Sequence, residues 1–144
     1  MNYLGPLRRL DDVAPEQLVR GEAEDLDLKA ELARARVAAL EAAARKLMPG
    51  DAKQARVVYR AVQDLVEVGE QIGDSSLTLG AGEMARYLQA QGATDRLDPE
   101  VVRTHVAALH QMVHLPHALC EERQNVAASL KRMVDKKLRQ ADAA

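Results

Sequence analysis

A chain of 144 residues, 47% of them hydrophobic but with no Phe or Trp, suits one domain around one core of Leu, Val, Ala, Ile and Met, which favours close-packed helices over stacked sheets. Its net charge of -2 argues against a dedicated nucleic-acid binder, and no segment approaches the roughly 18 apolar residues of a membrane span. The lone Cys120 excludes an intramolecular disulfide framework, and the first residues lack a signal-peptide hydrophobic region, so a cytoplasmic setting is expected.

Residues 1–13 are short and mixed, with a turn signal at Gly5-Pro6, and read as a flexible N-terminal arm; residues 14–144 read as one helical unit. Pro15 suits the first turn of a short helix over 15–21, weakened at its end by Gly21. A long Ala-rich helix is predicted over 23–47. Leu28, Leu32, Ala35, Ala39 and Ala42 keep a spacing of three or four there, and Leu26, Val37, Leu40 and Leu47 widen the apolar face. Pro49-Gly50 ends it, and Asp51 is placed to cap the next helix.

The third helix, over 52–73, has one apolar stripe, Val58, Val62, Leu65, Gly69 and Ile72, assigned to the core. The opposite side carries Arg56, Arg60, Gln63, Glu67, Glu70 and Asp74, with Tyr59 at the flank. Gly73-Asp74-Ser75 marks a break. A fourth helix, over 77–91, carries Leu77, Ala81, Met84, Ala85 and Leu88, and Gly92 closes it. Asp98-Pro99 restarts the chain as cap and first turn of a fifth helix, which runs to 114 on Val102, Val106, Leu109 and Val113. Pro116 ends or kinks that helix, and a sixth over 117–139 carries Leu119, Val126, Leu130, Val134 and Leu138. Short connections between long amphipathic helices favour antiparallel neighbours. The expected fold is all-α, an antiparallel four-helix bundle with an additional short N-terminal helix.

The stretch Gly69-Glu70-Gln71-Ile72-Gly73-Asp74-Ser75-Ser76-Leu77-Thr78-Leu79-Gly80-Ala81 resembles the signature of histidine-containing phosphotransfer (HPt) domains. That signature runs His, any residue, Leu or Ile, Lys, Gly, two small residues, a short spacer, then an apolar residue with Gly-Ala. Ile72, Ser75-Ser76 and Leu79-Gly80-Ala81 fit it. Glu70 stands at the histidine position, Gly73 at the lysine and Asp74 at the glycine. The resemblance implies a bundle whose exposed helix face meets a receiver domain. In that family the imidazole is the phosphoryl nucleophile, the lysine offsets phosphoryl charge, and the glycine lets the partner approach. Here acid replaces imidazole, so the resemblance implies an interaction module that carries no phosphate. Tyr59, Arg60, Gln63, Glu67, Glu70, Gln71 and Asp74 are the candidate partner-binding residues, and no catalytic residue is assigned. The implied partner is a response-regulator receiver domain or a histidine kinase of a bacterial two-component pathway, with no nucleic acid, membrane, cofactor or metal involved.

Two further readings differ in class. The run from Gln63 to Gln71 also resembles the active helix of CheZ-type chemotaxis phosphatases, in which an acid and a glutamine four residues apart position a water; Glu67 and Gln71 have that spacing. Alternatively the chain is a structural bundle that forms a homodimer through an apolar helix face. His110, His114 and His117 invite a metal reading, but ordinary helix-end histidines fit them better. His105 as a displaced phosphoacceptor is weaker still, because no lysine and glycine follow it at family spacing. Cys120 reads as a small hydrophobe, and the basic run Lys131, Arg132, Lys136, Lys137 and Arg139 as a solvated helix end.

Overall fold

The computed structural model describes residues 20–92, 94 and 96–143, with side chains described from residue 24 to residue 142. The described residues form five α-helices: α1 (Arg20–Arg45), α2 (Ala52–Ile72), α3 (Ser75–Gln91), α4 (Pro99–His114) and α5 (Cys120–Ala143). No strand occurs among the described residues, and no helix there is long and apolar enough to cross a membrane. The arm over 1–13 and most of the short helix expected over 15–21 lie outside the described residues. Arg20 and Gly21 belong to α1, so Gly21 sits inside a helix rather than ending one.

Cap chemistry written into the sequence sets the helix boundaries. The Asp51 carboxylate accepts from the Gln54 N–H at 3.0 Å, and that of Asp98 accepts from the Glu100 N–H at 2.9 Å with Pro99 in the first turn. Gly73 closes α2 in the left-handed region at φ 73°, where a residue without Cβ carries no steric penalty. Leu115, held extended before Pro116, stops α4 at His114. The chain then turns at His117 and Ala118 before α5 begins at Cys120, three residues later than the spacing suggested.

The helices pack as a closed ring in the order α1, α2, α3, α5, α4, with α3 also touching α4. The α2–α3 pair is antiparallel: Gly69 near the end of α2 lies against Thr78 at the start of α3. At the other end Ala52 and Ala55 share a groove with Leu88 and Gly92. Leu40, Leu47, Leu65, Leu77, Met84, Leu109 and Met112 are fully buried, and Leu130 and Val134 complete the core from α5. A Cβ on Gly80 would stand 3.0 Å from Leu109 and 3.3 Å from Leu130, so this glycine lets α3 approach α4 and α5 together.

The α2, α3 and α4 stripes fall where the spacing put them, apart from Ala85, which is half-buried. On α1 the face is different. Leu26, Ala33, Val37, Leu40 and Ala44 are buried, while Leu28, Leu32, Ala35, Ala39 and Ala42 face outward. Leu119 is also exposed, since it precedes α5 rather than lying on it.

Candidate functional site

The outer face of α2 carries the candidate residues. Its inner stripe, Val58, Val62, Leu65, Gly69 and Ile72, is anchored in the core, and the helical period then turns Arg60, Gln63, Glu67, Glu70 and Gln71 to solvent. Tyr59 is half-buried at the flank, packed against the core. Between α2 and α3 runs an open groove of about 530 Å³, bordered by Tyr59, Arg60, Gln63 and Glu67, with Gly82 and Ala85 of α3 on its far side. Glu70 and Gln71 are exposed beyond that border. Six of the seven residues therefore lie along one accessible surface.

Asp74 does not join them. It was expected on the exposed face; its side chain is 1% exposed, because α2 has ended and the chain has turned inward. One Asp74 oxygen accepts from the Leu77 N–H at 3.2 Å, capping α3, and also from Arg123 Nη1 at 2.9 Å. The other accepts from Arg123 Nη2 at 2.6 Å. Arg123 Nε donates to the Met112 carbonyl, so one guanidinium ties the α2–α3 turn to α4 and α5. The geometry satisfies the buried carboxylate twice over, as a buried charge requires. Two inferences from the sequence change as a result. Asp74 adds no negative charge to the outer face, and residue 74 is not a place where losing a side chain would admit a partner.

Arg123 was missed, although the signal was present. With Ala127, Leu130 and Val134 it keeps the four-three-four spacing of the buried α5 face, and a charged residue in a core register calls for a buried counter-charge. His105 occupies the same kind of position on α4. It is 1% exposed, and Nε2 donates to the Gly80 carbonyl at 2.8 Å. Burial pushes its pKa down from 6.5 to about 4, against a smaller upward pull from that hydrogen bond. A neutral, enclosed imidazole bonded to the backbone offers no nucleophile to a docking partner.

Two of the remaining histidines, His110 and His114, pair in the last turns of α4. The rings of His110 and His114 stack with centroids 4.3 Å apart. His110 Nδ1 lies 3.0 Å from a Glu41 oxygen of α1, a carboxylate neighbour that the local sequence does not reveal. His114 Nδ1 donates to the His110 carbonyl. Among the described residues no three His, Cys, Asp or Glu side chains converge as metal ligands. Cys120 Sγ donates to the His117 carbonyl at 3.1 Å. On the other side of α3, Arg86 bridges Glu83 and Asp135; hydrogen bonding from Lys131 and then from Arg86 holds the Asp135 carboxyl below its usual range.

The α2 face can therefore offer hydrogen bonds and charge but no imidazole nucleophile. Glu67 and Gln71, both exposed one turn apart, are its closest approach to a reactive pair. No protein-family model, curated protein or solved structure matches this chain.

Proposed function

We propose that this chain is a non-catalytic, HPt-like signalling module, its helices read as an antiparallel four-helix array with an added N-terminal helix. It binds a receiver domain or a histidine kinase through the outer face of α2. It regulates a bacterial, cytoplasmic two-component pathway by occupancy, without carrying phosphate. The observation behind this reading is the position of Glu70: exposed, in the last turn of a helix anchored by its inner stripe, and just before the Gly73 turn. The motif's small residues Gly80 and Ala81 lie buried where α3 meets the core. This combination agrees with a relay-type scaffold that presents an acid in place of an imidazole.

The test is to incubate the chain with a panel of phosphorylated receivers and to follow both label and complex. The expected result is a complex with no label on this chain, weakened at least about tenfold by Glu67→Arg with Glu70→Arg, since charge reversal in a contact patch turns attraction into repulsion. Stable label on any histidine would overturn the non-transfer part, and failure to bind any receiver or kinase would overturn the rest. A second reading has one observation in its favour, the joint exposure of Glu67 and Gln71. As a receiver phosphatase the protein would speed loss of receiver phosphate at substoichiometric amounts, and a rate unaffected by Gln71→Ala would end that reading.

A further inference from the structure

We infer that the outer face of α2 is also a self-association surface, on which a second copy of this chain docks antiparallel across a two-fold axis. The stripe consists of Lys53, Arg56, Arg60, Gln63, Glu67 and Glu70. Successive members are three, four, three, four and three residues apart, the interval at which one helix lays a seam against another. All six are exposed. Among the described residues none of their side chains forms an ion pair.

The order of charge along the stripe carries the argument. Three cations come first, then a neutral amide, then two anions. This order opposes the helix macrodipole, which favours acids in the first turn and bases in the last; α2 has neither. The helix gains nothing for itself from such an arrangement. An antiparallel copy gains at every step. With the axis between Arg60 and Gln63, Lys53 faces the other copy's Glu70, Arg56 faces its Glu67, and Arg60 faces its Gln63 with Asp64 beside it. Symmetry repeats each pair, as in any isologous contact. A parallel copy would instead set cation on cation and acid on acid.

The flank of the stripe leaves room for this approach. Gly82 of α3 lines the adjoining groove, and a Cβ built there meets nothing within 4 Å. Tyr59 and Val66, both half-buried, lie on that flank and add apolar area, as do the aliphatic stems of the arginines and glutamates. The contact does not rest on the receiver reading. It uses Glu67 and Glu70, so a receiver on this face would compete with the second copy.

Sedimentation velocity on the full chain, without any receiver, tests the inference. At low ionic strength the wild type forms a dimer that weakens as NaCl is raised, because exposed charges are screened over a Debye length of about 8 Å near 0.15 M. Glu67→Arg with Glu70→Lys makes the stripe wholly basic along its charged positions, and Lys53→Glu with Arg56→Glu makes its ends acidic. Each double variant alone raises the dimer dissociation constant at least about tenfold, while an equimolar mixture of the two forms a heterodimer. All four exchanges in one chain restore the homodimer. Every substituted side chain is exposed, and far-ultraviolet circular dichroism checks that the helices are retained. Two results would overturn the inference: a wild type that stays monomeric at every concentration in low salt, or a dimer that survives both double variants. In the second case loss of that dimer in Leu28→Glu with Leu32→Glu would assign it to the apolar outer stripe of α1.

Discussion

α1 and α2 are neighbouring long helices on one core, but they divide their surfaces differently. α2 gives Val58, Val62, Leu65 and Ile72 to the interior and keeps its opposite side charged. α1 buries Leu26, Val37 and Leu40 together with Ala33, Ala44 and the alkyl stem of Lys29, whose ammonium reaches Asp25 at 3.1 Å. It leaves Leu28 at 65% and Leu32 at 37% exposed, with Ala35, Ala39 and Ala42 on the same outer side. On α2 the two faces differ greatly in the apolar area each would remove from water, so only one orientation is stable. On α1 alanine occupies both faces and contributes little to either. The orientation is then decided by a few large side chains and by what α2 and α4 present to them. An outward apolar stripe on α1 and an outward charged stripe on α2 give one bundle two chemically different surfaces.

The sharpest way to break this arrangement is at the turn that ends α2. Arg123→Ala leaves the Asp74 carboxylate buried and without its guanidinium, and stability falls by about 3–5 kcal/mol, the usual cost of removing one partner of a buried ion pair. Urea unfolding followed by circular dichroism measures the shift. A loss below about 1 kcal/mol would place this pair with surface ion pairs in its effect. The next largest effect lies on the inner side of α1: Leu40→Ala, at a position with 0% exposure, costs roughly 2–5 kcal/mol through lost burial and the cavity left behind.

His105 links the core to pH. Its pKa falls from 6.5 in the unfolded chain to about 4 in the fold. Above pH 6.5 both states are neutral at this ring and stability is unaffected. As pH drops from 6.5 toward 4 the unfolded state takes up a proton that the folded state refuses, so stability declines, by about 3 kcal/mol at the lower end. His105→Gln keeps a donor for the Gly80 carbonyl and removes the titration. Its stability profile between pH 4 and 6.5 is flatter than that of the wild type by close to one proton, as read from unfolding free energies measured at successive pH values. Parallel profiles would mean that His105 is protonated within the fold.

Much of this was legible in the chain itself. Large branched residues at helical spacing marked the inner faces of α2 and α4, and Asp51, Gly73 and Asp98 marked helix ends, because caps and stripes are local features. The exposure of Gln63, Glu67 and Glu70 follows directly from the inner stripe of α2. The fate of Asp74 does not. Its counter-charge lies 49 residues away on α5, and nothing near it in sequence distinguishes an acid continuing an outer face from one that caps the next helix and turns inward. His105 keeps the core register of Val102 and Leu109, so its burial was legible, but its partner, the Gly80 carbonyl on α3, was not. Glu41 beside His110 is again a contact between separate helices. Pairings of polar groups across the bundle depend on how the helices are brought together, and hydrophobic period alone does not encode that.

The smallest effect is also the most direct test of the contrast between the two helices. Leu28 and Leu32 form, with Ala35, Ala39 and Ala42, the regular series on α1, yet they face solvent. If the inner face is fixed by Leu26, Val37 and Leu40, then Leu28→Gln removes a side chain that is already 65% exposed. The cost stays within about 0.5 kcal/mol, as for surface substitutions away from special features. Glutamine propagates a helix nearly as well as leucine, so propensity adds little to the change. A loss of about 2 kcal/mol or more in urea unfolding would show that Leu28 is covered in the native molecule, either by another part of the chain or by a second copy. Repeating the measurement at a tenfold lower protein concentration separates these, because only cover by a second copy depends on concentration.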